Sequence, residues 1–236
     1  IGILFEQASS RGHLQNSING KISFPFTIKN QLTTSLSSLE AAVNLKVKLL
    51  NYQKNFFKNS RNETSKNNNE YYIVGDNTDK SKLFHFYELL KTHEIKIKTL
   101  PEDVIINNIE FKKESALLIP KKQNKSRLIQ AMFEERTKFR DSLFYDISAW
   151  SFLHSFNLNF SDYSIKIKTQ NLKLEKPTGQ IINKSNYAYL FSWDDYYTPK
   201  ALYRFLDKGV RVKVATNNFK IGLKSFNYGT LLVTMQ

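Results

Sequence analysis

The run Tyr71-Tyr72-Ile73-Val74-Gly75-Asp76, followed by Lys80–His93 and then Ile95–Leu100, decides the reading of the fold. Tyr71–Val74 is aromatic and β-branched, and Gly75-Asp76 closes it as a turn, so it reads as a strand. Lys80–His93 sets Leu83, Phe86, Tyr87 and Leu90 at helical spacing, which gives a helix one apolar face. Ile95–Leu100 reads as the next strand. Strand, helix and strand in this order form a β-α-β unit, which favours parallel strands. The pattern continues downstream. Ala116–Ile119 is a short apolar strand, Lys125–Phe133 a helix and Tyr187–Ser192 a strand. Thr198 starts a helix with Pro199 at its first position and Gly209 at its close. Val210–Ala215 and Thr230–Val233 are further strands. The expectation for residues 70–236 is an α/β domain with a mainly parallel sheet and helices on both faces, flavodoxin-like or Rossmann-like. No internal repeat is evident. Asp162–Ser185 fits an insertion or a hairpin.

Upstream, residues 59–69 (Asn-Ser-Arg-Asn-Glu-Thr-Ser-Lys-Asn-Asn-Asn) have almost nothing to bury and read as a linker. Residues 1–58 form a separate stretch. Lys21–Ile28 reads as a strand, with Pro25 marking an edge or irregular position. A helix is expected from about Ser37 to Phe57, because Leu39, Val43, Val47 and Leu50 share one face.

Lys and Arg number 35 and Asp and Glu 21, a net charge of +14 over 236 residues. A polyanion partner is one consequence of such a charge. The lysines are dispersed, however, and neither a zinc-finger spacing nor an aromatic RNA-binding motif occurs. The charges therefore read as solvated faces, with no specific nucleic acid partner; a basic nucleic-acid-binding accessory domain is the more distant alternative. No apolar run approaches the ~20 residues of a membrane-spanning helix. The absence of Cys excludes disulfides, thiolate metal sites and a Cys nucleophile. The chain opens on Ile1 without a signal-peptide pattern, and the expectation is a piece of a longer protein.

Four groups of residues could carry chemistry. Gly75-Asp76-Asn77 lies between a strand and a helix, where anions bind, but G-x-G-x-x-G and the P-loop lysine are absent. Ser148 and His154 lie close in sequence, yet no G-x-S-x-G elbow frames them. His85-x-x-Glu88 has the one-turn spacing of a zinc pair, with His93 or His154 as a third ligand. A structural role is the better reading of all three. The loop Phe5-Glu6-Gln7-Ala8-Ser9-Ser10-Arg11-Gly12-His13 combines a carboxylate, a guanidinium and an imidazole, as binding loops do.

Phe5–His13, with Phe24–Gln31 and Thr33–Ala42, resembles the closing part of the catalytic domain of carboxypeptidase A-like zinc carboxypeptidases. The similarity is to a bacterial branch in which a class I glutamine amidotransferase-like domain follows; Arg127–Trp150 and Trp193–Thr216 resemble that domain. In these enzymes a Glu on a late strand, within Phe-x-Phe-Glu-Leu-Arg, is the general base. Here Phe24-Pro25-Phe26-Thr27-Ile28-Lys29 stands in that context, and Thr27 replaces the Glu. A mobile Tyr precedes the strand in the family, and here Glu6 replaces it. The resemblance therefore implies Glu6 as a relocated general base; Arg11 then suits a substrate carboxylate by the chemistry of its guanidinium, not by a matching family residue, and His13 is a candidate substrate contact beside it. The family's zinc ligands lie upstream, so this chain is expected to hold no metal and to hydrolyse nothing alone. The parent would be an exported zinc carboxypeptidase, periplasmic or secreted, acting on peptides. A catalytically inactive, carboxypeptidase-like binding protein is the alternative. The amidotransferase resemblance brings no glutaminase, because the Cys nucleophile is absent. Residues 1–58 lack most of the family's sheet, so self-association is an expectation.

Overall fold

The computed structural model describes residues 4–6, 10–63, 70–135, 152–165, 169–179, 181 and 184–235. The chain divides into two units, residues 1–59 and 60–236.

Unit 1 begins with a hairpin of β1 (Leu14–Ser17) and β2 (Gly20–Ser23). Helices α1 (Phe24–Asn44) and α2 (Lys46–Glu63) follow, and the last turn of α2 is counted with unit 2. The strand expected over Lys21–Ile28 therefore stops at Ser23. Pro25 opens a helix rather than marking a sheet edge, because its fixed φ suits the first turn and its missing N–H costs nothing there. Ser23 Oγ caps that turn, accepting from the Phe26 N–H at 3.3 Å. The helix expected from Ser37 thus begins thirteen residues earlier, at Phe24. Ser and Thr are poor helix formers, but here their hydroxyls bond within the helix. Thr33, Thr34, Ser35 and Ser38 donate to the carbonyls of Lys29, Asn30, Gln31 and Thr34 at 2.8–3.0 Å. The opposite stripe, Ile28, Leu32, Leu36, Leu39 and Val43, is more than half exposed throughout.

Unit 2 opens with β3 (Tyr71–Gly75), α3 (Lys80–Thr92) and β4 (Lys98–Thr99). A hairpin of β5 (Val104–Ile106) and β6 (Ile109–Phe111) leads to β7 (Ala116–Pro120). Helices α4 (Ser126–Phe133) and α5 (Phe152–Phe156) precede β8 (Asn159–Tyr163). The domain is α/β, but its sheet is not the expected parallel one. The order is β4-β7-β3-β8, and each pairing is antiparallel. Strands β3 and β4 do run the same way, as a helical crossover requires, yet they are not neighbours. The chain turns back through the β5–β6 hairpin and inserts β7 between them. Strands β7 and β8 are related in the same way across β3. This is the order of a split β-α-β sheet, the ferredoxin-like arrangement.

The two faces of the sheet are covered differently. Val74, Leu117 and Ile119 pack with Leu83, Phe86 and Leu90 of α3, Ile129, Met132 and Phe133 of α4, and Leu153 of α5. Ile73, Ala116 and Leu118 pack on the other face with Phe111 of the hairpin and Leu100. Helices thus cover one face and a hairpin the other, in place of the two helical layers expected. Strand β7 is buried on both faces, which is why Ala116-Leu117-Leu118-Ile119 shows no polar alternation.

The rest of unit 2 repeats this plan. Strand β9 (Ala188–Phe191), α6 (Thr198–Asp207) and β10 (Val212–Val214) precede a hairpin of β11 (Phe219–Ile221) and β12 (Lys224–Phe226), and then β13 (Leu231–Thr234). Strand β13 inserts between β9 and β10, antiparallel to both. The hairpins coincide at a constant offset of 115 positions, from 104 to 219 and from 109 to 224. Asp103 Oδ1 accepts from the Lys113 N–H at 2.8 Å, and Asn218 Oδ1 from the Tyr228 N–H at 2.8 Å, at that same offset. The helices close alike: Ile95 N–H donates to Leu90 O and Val210 N–H to Phe205 O, past Glu94 (φ 58°) and Gly209 (φ 68°). The sequence hides the repeat because the structure conserves turn geometry and apolar alternation rather than residue identity. Ile95-Lys96-Ile97-Lys98 corresponds to Val210-Arg211-Val212-Lys213.

Among the described residues, no helix is long and apolar enough to cross a membrane. A Cβ at Gly75 would lie 2.9 Å from the Ser115 carbonyl oxygen and 3.2 Å from the buried Phe111 ring. Replacing Gly75 with Ala is expected to lower the unfolding free energy by about 1–3 kcal/mol. A urea denaturation curve checks this, and an unchanged midpoint would contradict the packing described.

Candidate functional site

In unit 1, Arg11 and His13 lie in the segment before β1, and Thr27 in α1 after β2. The Ser10 N–H donates to Thr27 Oγ1 at 3.2 Å, while that hydroxyl donates to Ser23 O at 3.3 Å. The Arg11 N–H donates to Gln15 Oε1 at 2.9 Å. The His13 carbonyl accepts from the Phe24 N–H at 3.1 Å. Thr27 lies in the first turn of α1, not on the late strand that its sequence context suggests, because Ser23 and Pro25 start the helix there. Glu6 is exposed and precedes the hairpin; residues 7–9 lie outside the described residues.

In unit 2 the turn after β3 carries its own anion. Asp76 Oδ1 accepts from the Thr78 N–H at 2.7 Å, the Thr78 hydroxyl at 2.6 Å and the Asp79 N–H at 3.0 Å. Its Oδ2 lies 2.8 Å from Lys82 Nζ, and both side chains are buried. Asp79 caps α3, with Oδ1 accepting from the Ser81 N–H at 2.8 Å. Its Oδ2 accepts from the Tyr196 N–H at 2.6 Å and so joins the two halves of the unit. The N–H groups of Gly75-Asp76-Asn77-Thr78-Asp79 that could cradle a phosphate are thus partly taken by a side chain, so the turn is structural. Burial raises the Asp76 pKa, but hydrogen bonds from Lys82, Thr78 and Asp79 outweigh it and hold the carboxyl below its ordinary 3.8. Asp195 goes the other way: burial, and next the charge of Asp79, push it up.

His85-x-x-Glu88 does not fit a metal. His85 Nε2 is 2.6 Å from Tyr197 Oη and its ring stacks on Tyr196, with 4.2 Å between centroids. Glu88 Oε1 pairs with Lys91 Nζ at 3.4 Å. His154 Nε2 lies 2.7 Å from Glu135 Oε1. Ser148 lies outside the described residues. Among the described residues, no group of three or more His, Cys, Asp or Glu side chains could hold a metal ion.

A polar cavity of about 340 Å³ lies where β7 gives way to α4. Its walls include Glu63, Tyr72, Lys121, Ser126, Arg127 and Ile129. Lys121 is only 7% exposed. Its Nζ is 2.6 Å from Asp162 Oδ1 and 4.1 Å from the centroid of the Tyr72 ring. Arg127 donates to Glu63 as a fork, with Nε to Oε2 at 3.1 Å and Nη2 to Oε1 at 2.7 Å. The Arg127 hydrogen bond holds the Glu63 carboxyl low, while burial, and then Asp162, push the Tyr72 phenol up. Sequence reasoning missed this cavity. Its available signal is a lysine directly after an apolar strand and an arginine in the first turn of the next helix.

No family model, no curated protein and no solved structure matches this chain.

A depressed Asp76 pKa stabilises the fold above 3.8, and that stability is lost as pH falls through the lower folded value. Protonation leaves Lys82 as a buried, unmatched cation. Asp76→Asn is expected to cost about 3–5 kcal/mol at neutral pH. It should also flatten the acid limb of the melting temperature between about pH 5 and pH 2. Parallel acid limbs in variant and wild type would sink this assignment.

Proposed function

We propose that residues 1–59 close a zinc-dependent carboxypeptidase domain in which Glu6 is the general base for hydrolysis of C-terminal peptide bonds. One observation supports this beyond the sequence resemblance. The hydrogen bond from Ser10 to Thr27 ties the loop of Arg11 and His13 to the position where the related enzymes carry their Glu. In this reading the carboxylate absent at Thr27 is supplied by Glu6. Thr27 itself cannot serve, because a hydroxyl is no base near neutral pH.

In this reading Glu6 takes a proton from the attacking water and delivers it to the leaving amine. Arg11 pairs with the terminal carboxylate of the peptide, for which a guanidinium fork is suited. His13 contacts substrate from the same loop. Zinc supplies polarisation of the scissile carbonyl when bound; its ligands belong to sequence upstream, and no residue of this chain is assigned to it. The bare apolar stripe of α1 supports the reading too, since the remainder of a peptidase domain would cover it. Unit 2 serves a structural or substrate-recruiting role. Export to the periplasm or beyond the cell is part of the proposal and rests on the resemblance alone.

The test uses the full-length, zinc-loaded protein and a panel of peptides, with release of the C-terminal residue as readout. Wild type is expected to be active. Glu6→Gln should lower kcat by about 10²-fold or more at unchanged zinc content, and Arg11→Gln should raise KM. An inactive wild type, or a Glu6→Gln variant at the wild-type rate, overturns the proposal and leaves a binding protein.

A further inference from the structure

We propose that α2 is a membrane-surface helix, which lies on anionic phospholipid with its apolar groove against the lipid. Helix α2 carries lysines at 46, 48, 54 and 58 before its first carboxylate, Glu63. Each of these lysines is exposed, and none is in an ion pair among the described residues. Leu49, Leu50, Tyr52, Gln53, Phe56 and Phe57 line a groove of about 480 Å³ and bring no charge to it. Leu49, Leu50 and Tyr52 are 45–55% exposed. A helix advances about 100° per residue, which sets Lys48 on one side of the groove and Lys54 and Lys58 on the other. Lys46 stands one turn ahead of Leu49. Lysine stems lie along apolar surface while their ammonium groups reach out to charge, here the phosphates of the headgroups.

Charge and shape decide the occupant. A second copy would bring lysines against lysines, with Glu63 as the sole carboxylate of each α2. An acidic helix would meet the charges, but helices dock into apolar grooves walled by a folded partner. Among the described residues, α2 alone lines this one. A lipid interface moulds itself to a single helix and offers anions along both flanks. Leu and Phe are the side chains that such helices sink to the boundary of headgroup and acyl chain. Helix α1 lacks this arrangement: its only charges are Lys29 and Glu40, so its apolar stripe has no cations along both sides. Surface binding needs no membrane span. It also stands independently of the peptidase reading, because it is measured without any hydrolysis.

Co-sedimentation of the whole chain with vesicles tests this. Vesicles of phosphatidylcholine and phosphatidylglycerol in equal parts are expected to bind it, less so as salt rises, and pure phosphatidylcholine vesicles at least about tenfold more weakly. Lys54→Gln with Lys58→Gln should weaken binding at least about tenfold, at roughly fivefold per lysine. Leu50→Gln with Tyr52→Gln should weaken it about tenfold and leave its salt dependence unchanged. Lys220→Gln with Lys224→Gln removes the same charge from the exposed β11–β12 hairpin and should leave binding within about twofold. Thermal melts establish that each variant folds; if the Leu50 and Tyr52 pair does not, the two lysine pairs decide. No binding to the anionic vesicles overturns the proposal. Equal losses from the two lysine pairs overturn it also, by showing general attraction to a chain of net charge +14. So does a dimer in sedimentation velocity that the Leu50 and Tyr52 substitutions dissolve, which would assign this face to a second copy.

Discussion

Strand β7 is the constraint on which unit 2 depends. Ala116-Leu117-Leu118-Ile119 is buried on both sides, so it must have a neighbour at each edge and a layer on each face. The edges are met by β3 and β4, and the faces by the helices and by the β5–β6 hairpin. Gly75 has no side chain because β7 and Phe111 come too close to admit one. The turn after β3 then has to supply its own charge balance, which Asp76 and Lys82 do at 2.8 Å.

The same solution recurs 115 residues later, with β13 in the place of β7. Burial distinguishes the two halves. Leu231 and Val233 are buried in β13, but Tyr203, Leu206 and Val214 around it are exposed. The first half owes its thicker core to α4, α5 and β8. The halves are joined at their helix N-termini, where Asp79 caps α3 and also receives the Tyr196 N–H. The cavity lies on the other side of this plan, at the end of β7, where the chain leaves the sheet for α4. A strand end followed by a helix start is a common place for a ligand.

Much of this was legible in the sequence and some was not, for identifiable reasons. The helix of Lys80–His93 was readable because Leu83, Phe86, Tyr87 and Leu90 face one side, and they are buried in the structure. The β5–β6 hairpin went unread although Ile106-Asn107-Asn108-Ile109 carries the signal. Both Asn residues have positive φ, which two-residue hairpin turns demand. The first turn of α1 was misread because Pro25 in an apolar run suits a strand edge as well as a helix start. Glu6, Arg11, His13 and Thr27 were chosen by resemblance; in the structure Ser10, beside Arg11, donates its N–H to Thr27 Oγ1, and the His13 carbonyl accepts from the Phe24 N–H. The cavity went unread because Glu63 and Tyr72 are far in sequence from Lys121 and Arg127, and no spacing rule links the two pairs.

The sequence by itself determined α3, α4, β3, β7 and β13 to within a few residues, since apolar periodicity depends only on local spacing. It also shows that this chain carries no thiol. Strand order, the direction of each pairing and the internal repeat were decided by tertiary structure alone. A helical crossover fixes the relative direction of the two strands it joins, but not what lies between them. Only the need to cover both faces of Ala116–Ile119 placed β7 there. Lys121 is charged and ordinary in the sequence; it becomes a buried cation only because the fold closes Tyr72 and Asp162 around it.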